Sequence, residues 1–360
     1  RRMGMNFGHE IFGDIRPGHA LAKNVIGTKE MHEKHPEYYA LLGGIHAAHP
    51  QGDTRHDAQL RHRSPACHSS EGLIKECINY ARFMFDEYDQ PHVSFWPGDG
   101  FNKCGCDKCK DKTPSDLVWG FVDKIARELY KTHPDRLVSC GAYTSYGKPP
   151  KSIDKFSPNV VVLFSNRRRS LLDDPGRWKK YWDEMKSWEK KVGPNRLLRT
   201  ENNRYTLNNG RPIKLPVIYV NAMAKDLSAL KDICLGEAGE QSQKSWKWKA
   251  PGSDHLNLYV QSRFYWDADQ DLEALLDKYF TKFYGPAAKV MQKTFMTAEK
   301  TYNKLKLNPA QDLVQAKINK LSASVKYLEG LHKALKVAGK DTIYGKRIAF
   351  ILSEYVPLDK

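Results

Sequence analysis

Apolar residues recur along this chain in two alternating rhythms. Short runs rich in β-branched and aromatic residues end in polar or charged ones, and the stretches between them carry apolar side chains every three or four positions. His92–Trp96, Leu137–Tyr143, Val160–Phe164, Arg196–Arg199, Val217–Val220 and Ile233–Leu235 are predicted strands. Leu117, Val118, Phe121, Ile125, Ala126 and Leu129 share one face of a predicted helix with Ser115 as its N-cap, and a second helix is predicted over Trp178–Val192. Strand and helix in alternation mean βα units and a parallel sheet. An early strand at Met3–Phe7 and one concealed in the loop-rich stretch Met31–Pro65 bring the count to eight. The expected fold is therefore α/β, a (β/α)8 TIM-like barrel over residues 1–268. An open doubly wound sheet is the alternative. No glycine-rich phosphate loop follows any strand, which counts against nucleotide binding.

Beyond Asp271 the strands disappear. Leu272–Phe280 opens a helical pattern that Gly285-Pro286 stops and restarts. Val290, Phe295, Ala298, Tyr302 and Leu305, then Leu313, Ile318, Leu321, Val325, Leu328 and Leu331, continue at helical intervals. This spacing predicts an amphipathic hairpin within a C-terminal helical region, residues 269–360.

Composition narrows the class. With 360 residues, 40% hydrophobic and 28% charged, the chain has the make-up of a soluble globular protein able to bury a large core. Its longest apolar run, Val160–Phe164, is far too short to cross a bilayer. A net charge of +16 favours anionic partners. Lys289, Lys293, Lys300, Lys304 and Lys306 read as a solvated helix face; Arg167-Arg168-Arg169, straight after a predicted strand, is the sharper cluster. No recognisable order of basic and aromatic residues marks a nucleic-acid-binding module. Opening at Arg1-Arg2-Met3-Gly4 and closing at Leu358-Asp359-Lys360, the sequence reads as an excised or processed piece.

Seven cysteines, an odd number, cannot all pair internally. Cys104-Gly105-Cys106-Asp107-Lys108-Cys109 puts three thiols into six residues of a polar loop, enough for three corners of a tetrahedral metal site. Cys67 is the expected fourth ligand, with His68 as substitute, and the expected ion is a structural zinc. A disulfide with spare thiols, or free cysteines, is the competing reading. Cys77, Cys140 and Cys234 fall on apolar patterns and read as buried small hydrophobes.

A barrel gathers its active site at the C-terminal strand ends, and several such ends carry carboxylates. Asp99 follows Trp96-Pro97-Gly98, Glu201 follows Leu197–Thr200, and Glu237 and Glu240 follow Ile233–Gly236. Two carboxyls brought together can cleave a glycosidic bond, one as acid and the other as base or nucleophile. Asp99 with Glu237 is the expected pair, Glu237 as acid, with Glu240 or Glu201 standing in if one points away. Aromatic side chains suit sugar faces: Trp96, Tyr143, Tyr146, Trp246 and Trp248 lie near those ends. His19, Trp96, Tyr143, Asn166, Arg167 and Trp246 are the candidate substrate-binding set.

Taken in order, several segments resemble the bacterial carbohydrate-associated family catalogued as domain of unknown function 4838, related in design to α-glucuronidases and β-hexosaminidases. The marks are Gly18-His19, His35–Leu41, Cys67 ahead of a helix, Gly98-Asp99-Gly100 with the cysteine cluster, Ala142-Tyr143, Pro158–Val162, Trp266–Asp271 and Phe283–Ala288. The resemblance implies a barrel with an upstream domain and a role in glycan breakdown. The chain departs from the pattern at Gly98, where a polar residue such as asparagine is expected.

The expected function is a glycoside hydrolase acting on an acidic, uronate-bearing or sulfated polysaccharide. A catalytically silent glycan-binding barrel and a metal-dependent hydrolase or lyase are the alternatives. Neither a nucleic-acid partner nor a membrane span is expected, and a secreted or periplasmic setting is. The sequence leaves sugar, linkage and oligomeric state open.

Overall fold

A computed structural model of the chain describes residues 20–47, 65–98, 101–166, 175–202, 218–240, 251–304 and 313–355. Near the start, α1 (Ala20–Asn24) and α2 (Lys29–Lys34) precede a two-residue antiparallel hairpin, β1 (Leu41–Leu42) and β2 (Ile45–His46). Then follow α3 (Glu71–Asp86), β3 (His92–Ser94), α4 (Pro114–Tyr130), β4 (Leu137–Ala142), β5 (Val160–Asn166), α5 (Pro175–Val192), β6 (Leu197–Asn202), α6 (Val220–Leu230), β7 (Cys234–Glu240) and α7 (Pro251–Trp266). The C-terminal helices are α8 (Leu272–Tyr284), α9 (Ala288–Lys304), α10 (Leu313–Ala338) and α11 (Ile343–Ser353).

Strands β3 to β7 form one sheet in sequence order, every neighbouring pair parallel. Right-handed crossovers between strands taken in order place all connecting helices on the same face, as in a barrel wall; a doubly wound sheet needs a reversal of order. Five strands of such a wall are present among the described residues, which do not show a closed eight-stranded barrel. The antiparallel β1–β2 hairpin lies outside this sheet, and Met3–Phe7 lies outside the described residues. Where it is described, the predicted strand Val217–Val220 is not one: Ile218 and Tyr219 are the lead-in to α6 and Val220 is its first residue, while Val217 lies outside the described residues. β6 and β7 pair directly with each other, so the sheet has no place between them for this short β-branched run.

Pairing register sorts the two faces of the sheet. Cys140, Val162, Phe164 and Arg199 face the helices, with Phe164 and Arg199 both against Tyr181 of α5. His92, Ser94, Ser139, Gly141, Val161, Leu163 and Leu198 occupy the other face, where His92 Nε2 and Ser139 Oγ lie 2.5 Å apart. Trp96, just past β3, crosses this face over Gly141, where a Cβ would sit 2.1 Å from the indole. Glycine is required there by contact.

Helix α4 starts at Pro114, with Thr113 rather than Ser115 as N-cap: Thr113 Oγ1 accepts from Asp116 N at 3.1 Å and donates to the Asp116 carboxylate at 2.6 Å. Proline favours the first helical position, which moves the cap two residues earlier. The apolar stripe anticipated on α4 is buried from Leu117 to Leu129. The core continues without a break into the C-terminal helices, where Phe280, Tyr284, Phe295 and Leu331 join the same cluster as Val162 and Leu197. Gly285, at φ +49° between α8 and α9, sits against the Tyr344 ring of α11.

Candidate functional site

Two buried constellations of polar groups flank the sheet. At the first, three backbone segments are stitched into one corner. Tyr39 bridges Ala66, Cys67 N donates to Tyr38 O at 2.8 Å, and Gly105 N donates to Leu41 O at 2.8 Å. These bonds bring Cys67 to the 104–109 loop, and the sulfurs of Cys67, Cys104, Cys106 and Cys109 all lie within 4.8 Å of one another. Cys67 and Cys106 are 3.8 Å apart. That is about the edge of a tetrahedron with metal–sulfur distances of about 2.3 Å, and far beyond a disulfide bond of about 2.05 Å. All seven thiols are free.

Hydrogen-bonding groups surround the sulfurs, while burial opposes the ionisation of Cys104 and Cys109. Leu41 N approaches Cys104 Sγ at 3.2 Å, Cys106 N lies 3.5 Å from the same sulfur, and Ser69 Oγ is 2.9 Å from Cys109 Sγ and 3.5 Å from Cys106 Sγ. Burial pushes the Cys106 thiol up, but its hydrogen bonds with Ser69 and the neighbouring thiols outweigh that and bring it to about 6. Burial pushes Cys109 up to about 12. Such contacts orient ligands and raise metal affinity. Four cysteines therefore form a cluster that can hold a metal ion. His68 stays out of it, packed against Phe101 and Phe121 with its imidazole pushed down to about 4 by burial. Cys77, Cys140 and Cys234 are buried on α3, β4 and β7.

The second constellation lies between sheet and helices. Arg199 of β6 and Glu237 of β7 are register partners, and their side chains form an ion pair. Asp226 of α6 lies 3.3 Å from the same guanidinium, and all three side chains are buried. Tyr265 Oη donates to Glu237 at 2.7 Å and Gln261 Nε2 lies 3.4 Å from the same oxygen, both from α7. Glu237 thus points toward the helix layer, as Arg199 does, and not into the strand-end mouth. A permanently charged partner suits a carboxylate, not a proton donor.

Glu201 and Glu240 stand at the ends of β6 and β7, where Glu201 pairs with Gly239 and Asn202 with Glu240. Asn166 ends β5 opposite Glu201. Trp96 is buried; its Nε1 donates to Tyr146 Oη at 3.1 Å, and Tyr143 meets it edge-on at 5.8 Å. These rings gather beyond β3 and β4 on the rim that carries Asn166, Glu201 and Glu240. His19, Asp99, Arg167 to Arg169, Trp246 and Trp248 lie outside the described residues.

Sequence reasoning missed Ser69 and the Arg199 network. Ser69 is two residues past a predicted ligand, and a hydroxyl there was its signal. Arginine inside the apolar run Leu197-Leu198-Arg199 was the other: a charge in a buried strand needs a partner.

A singly wound α/β sheet beside a four-cysteine corner, followed by helices, is the class these features define. The chain belongs to the family described as Domain of unknown function (DUF4838), whose model matches residues 4–297. No curated protein and no solved structure matches it.

Proposed function

We propose that the protein is a glycoside hydrolase with a (β/α)8 barrel, acting on an anionic polysaccharide, with a structural zinc in the cysteine corner. Strand order carries this reading: five parallel strands wound in sequence bring their C-terminal ends to one rim, where Glu201 and Glu240 stand at the ends of β6 and β7 and Trp96 and Tyr143 follow β3 and β4. With Glu237 committed to Arg199, the reading assigns acid/base work to Asp99 and Glu240, with Glu201 in reserve. One protonates the departing glycosidic oxygen, and the other attacks the anomeric carbon or activates water. The net charge of +16 supports a uronate-bearing or sulfated substrate. In the corner, Cys67, Cys104, Cys106 and Cys109 would hold zinc with four sulfurs, a set that leaves no position for a reacting water.

The test measures reducing ends released from polyuronate, sulfated and neutral oligosaccharides. Glu240→Gln should lower turnover on an anionic substrate by about 10²- to 10⁴-fold with folding unchanged. Near-normal turnover in both Glu240→Gln and Asp99→Asn, or none by the folded, zinc-loaded protein on any substrate, overturns the reading. Saturable binding without cleavage would instead support a silent glycan-binding barrel, which the engagement of Glu237 by Arg199 favours as second reading.

A further inference from the structure

Helices α9 and α10 carry nine lysines against two glutamates. One of those, Glu299, is buried and accepts from Asn221 of α6, so it does not offset the surface charge. The helices pack closely where Gly330 meets Thr294; a Cβ at Gly330 would lie 2.4 Å from Thr294 Oγ1. Along this crossing runs a groove of about 420 Å³ lined by Lys289, Lys293, Thr297 and Thr301 from one helix and Lys326 and Lys333 from the other.

The α9 residues recur every four positions, so they form one row with a step of about 6 Å. Lys326 and Lys333 face them at a separation of about 10.5 Å along α10. No carboxylate lines the groove, and among the described residues none of these four lysines makes an ion pair. Several lysines elsewhere do pair with an acid, among them Lys34, Lys110, Lys124, Lys131, Lys179 and Lys231. Four converging ammonium groups repel one another, which destabilises the fold unless an anion lies between them.

We propose that this groove is a binding site for a segment of anionic polysaccharide, its carboxylates or sulfates lying between the two lysine rows. Two extended rows suit a linear polyanion better than a single small anion. Nucleic acid fits less well, since the lining has no arginine and no exposed aromatic on which a base would stack. Threonine hydroxyls complement sugar hydroxyls. The ligand class is that proposed for the strand-end site, but the groove requires no chemistry there. As a second contact on the same chain it would raise the local concentration of substrate.

The experiment is calorimetric titration of the full chain, carrying Glu240→Gln to prevent cleavage. The probes are a heparin-derived oligosaccharide, an oligogalacturonate of the same length and a single-stranded oligonucleotide of matched charge. At least one oligosaccharide should bind, more weakly as salt rises, and which of them binds distinguishes sulfate from carboxylate. Replacing Lys289, Lys293, Lys326 and Lys333 together with alanine should weaken that binding at least about tenfold, while Lys34→Ala with Lys131→Ala leaves it unchanged. If the fourfold variant does not fold, Lys293→Gln with Lys333→Gln should weaken binding in the same direction. Unchanged affinity in the lysine variants, no binding of either oligosaccharide, or equal or tighter binding of the oligonucleotide would overturn the proposal. Binding that depends on these lysines, with no turnover by the wild type, would refute the proposed hydrolase alone. Turnover with binding indifferent to them would refute this groove alone.

Discussion

The cysteine corner and the Arg199 network are both buried clusters of polar side chains, yet they reach neutrality in opposite ways. In the corner four thiols converge with no cationic side chain among them, so once they ionise only a bound cation would complete the charge balance. In the network the cation is built in, since Arg199 sits between Asp226 and Glu237. The first should respond to metal supply, and the second only to mutation. Buried carboxylates near a strand end are therefore no guide to catalysis until their partners are known: Glu237 is spent on holding β6, β7, α6 and α7 together.

The largest effect should come from the network. Arg199→Met strands two buried carboxylates and should destabilise the protein by about 3–5 kcal/mol in chemical denaturation, whether or not metal is present. Adding Asp226→Leu and Glu237→Met should recover much of that loss; if the triple variant is no better, charge balance is not what Arg199 supplies. Next comes Ser69→Ala, which removes the hydroxyl 2.9 Å from Cys109 Sγ. It should lower zinc affinity about 10- to 100-fold in competition with a chromogenic chelator, and leave the stability of the metal-free protein nearly unchanged.

Tyr265→Phe deletes one donor to Glu237 while Arg199 remains, and should cost about 1 kcal/mol. A loss as large as that of Arg199→Met would mean the hydroxyl, and not the guanidinium, holds the network. The smallest effect concerns a buried carboxyl with no cation. Burial pushes Glu299 up, only partly offset by its hydrogen bonds from Asn221. Because its folded value lies above the unfolded one, its contribution is complete at acid pH and is lost as pH rises through the raised value. Stability measured from pH about 4 to about 8 should therefore shift in favour of Glu299→Gln over wild type as pH rises, and a shift the other way would contradict the burial argument.

Local pattern is enough for whatever depends on neighbours along the chain. The period-three-and-four stripe of α4, the strands His92–Ser94, Leu137–Ala142 and Val160–Asn166, and the stop at Gly285 all follow from local pattern. So does most of the cysteine corner, because three of its thiols sit within six residues and need only one partner from elsewhere. Tertiary structure decided which face each strand residue takes. Glu237 and Glu240 are three residues apart on one strand, and register and helix packing alone turned the first toward Arg199. The helical fate of Val220 was settled by competition between options worth only about 1 kcal/mol, which packing overrides. A side chain's chemistry is written in its identity, but its role depends on which groups are folded against it, and those come from distant parts of the chain.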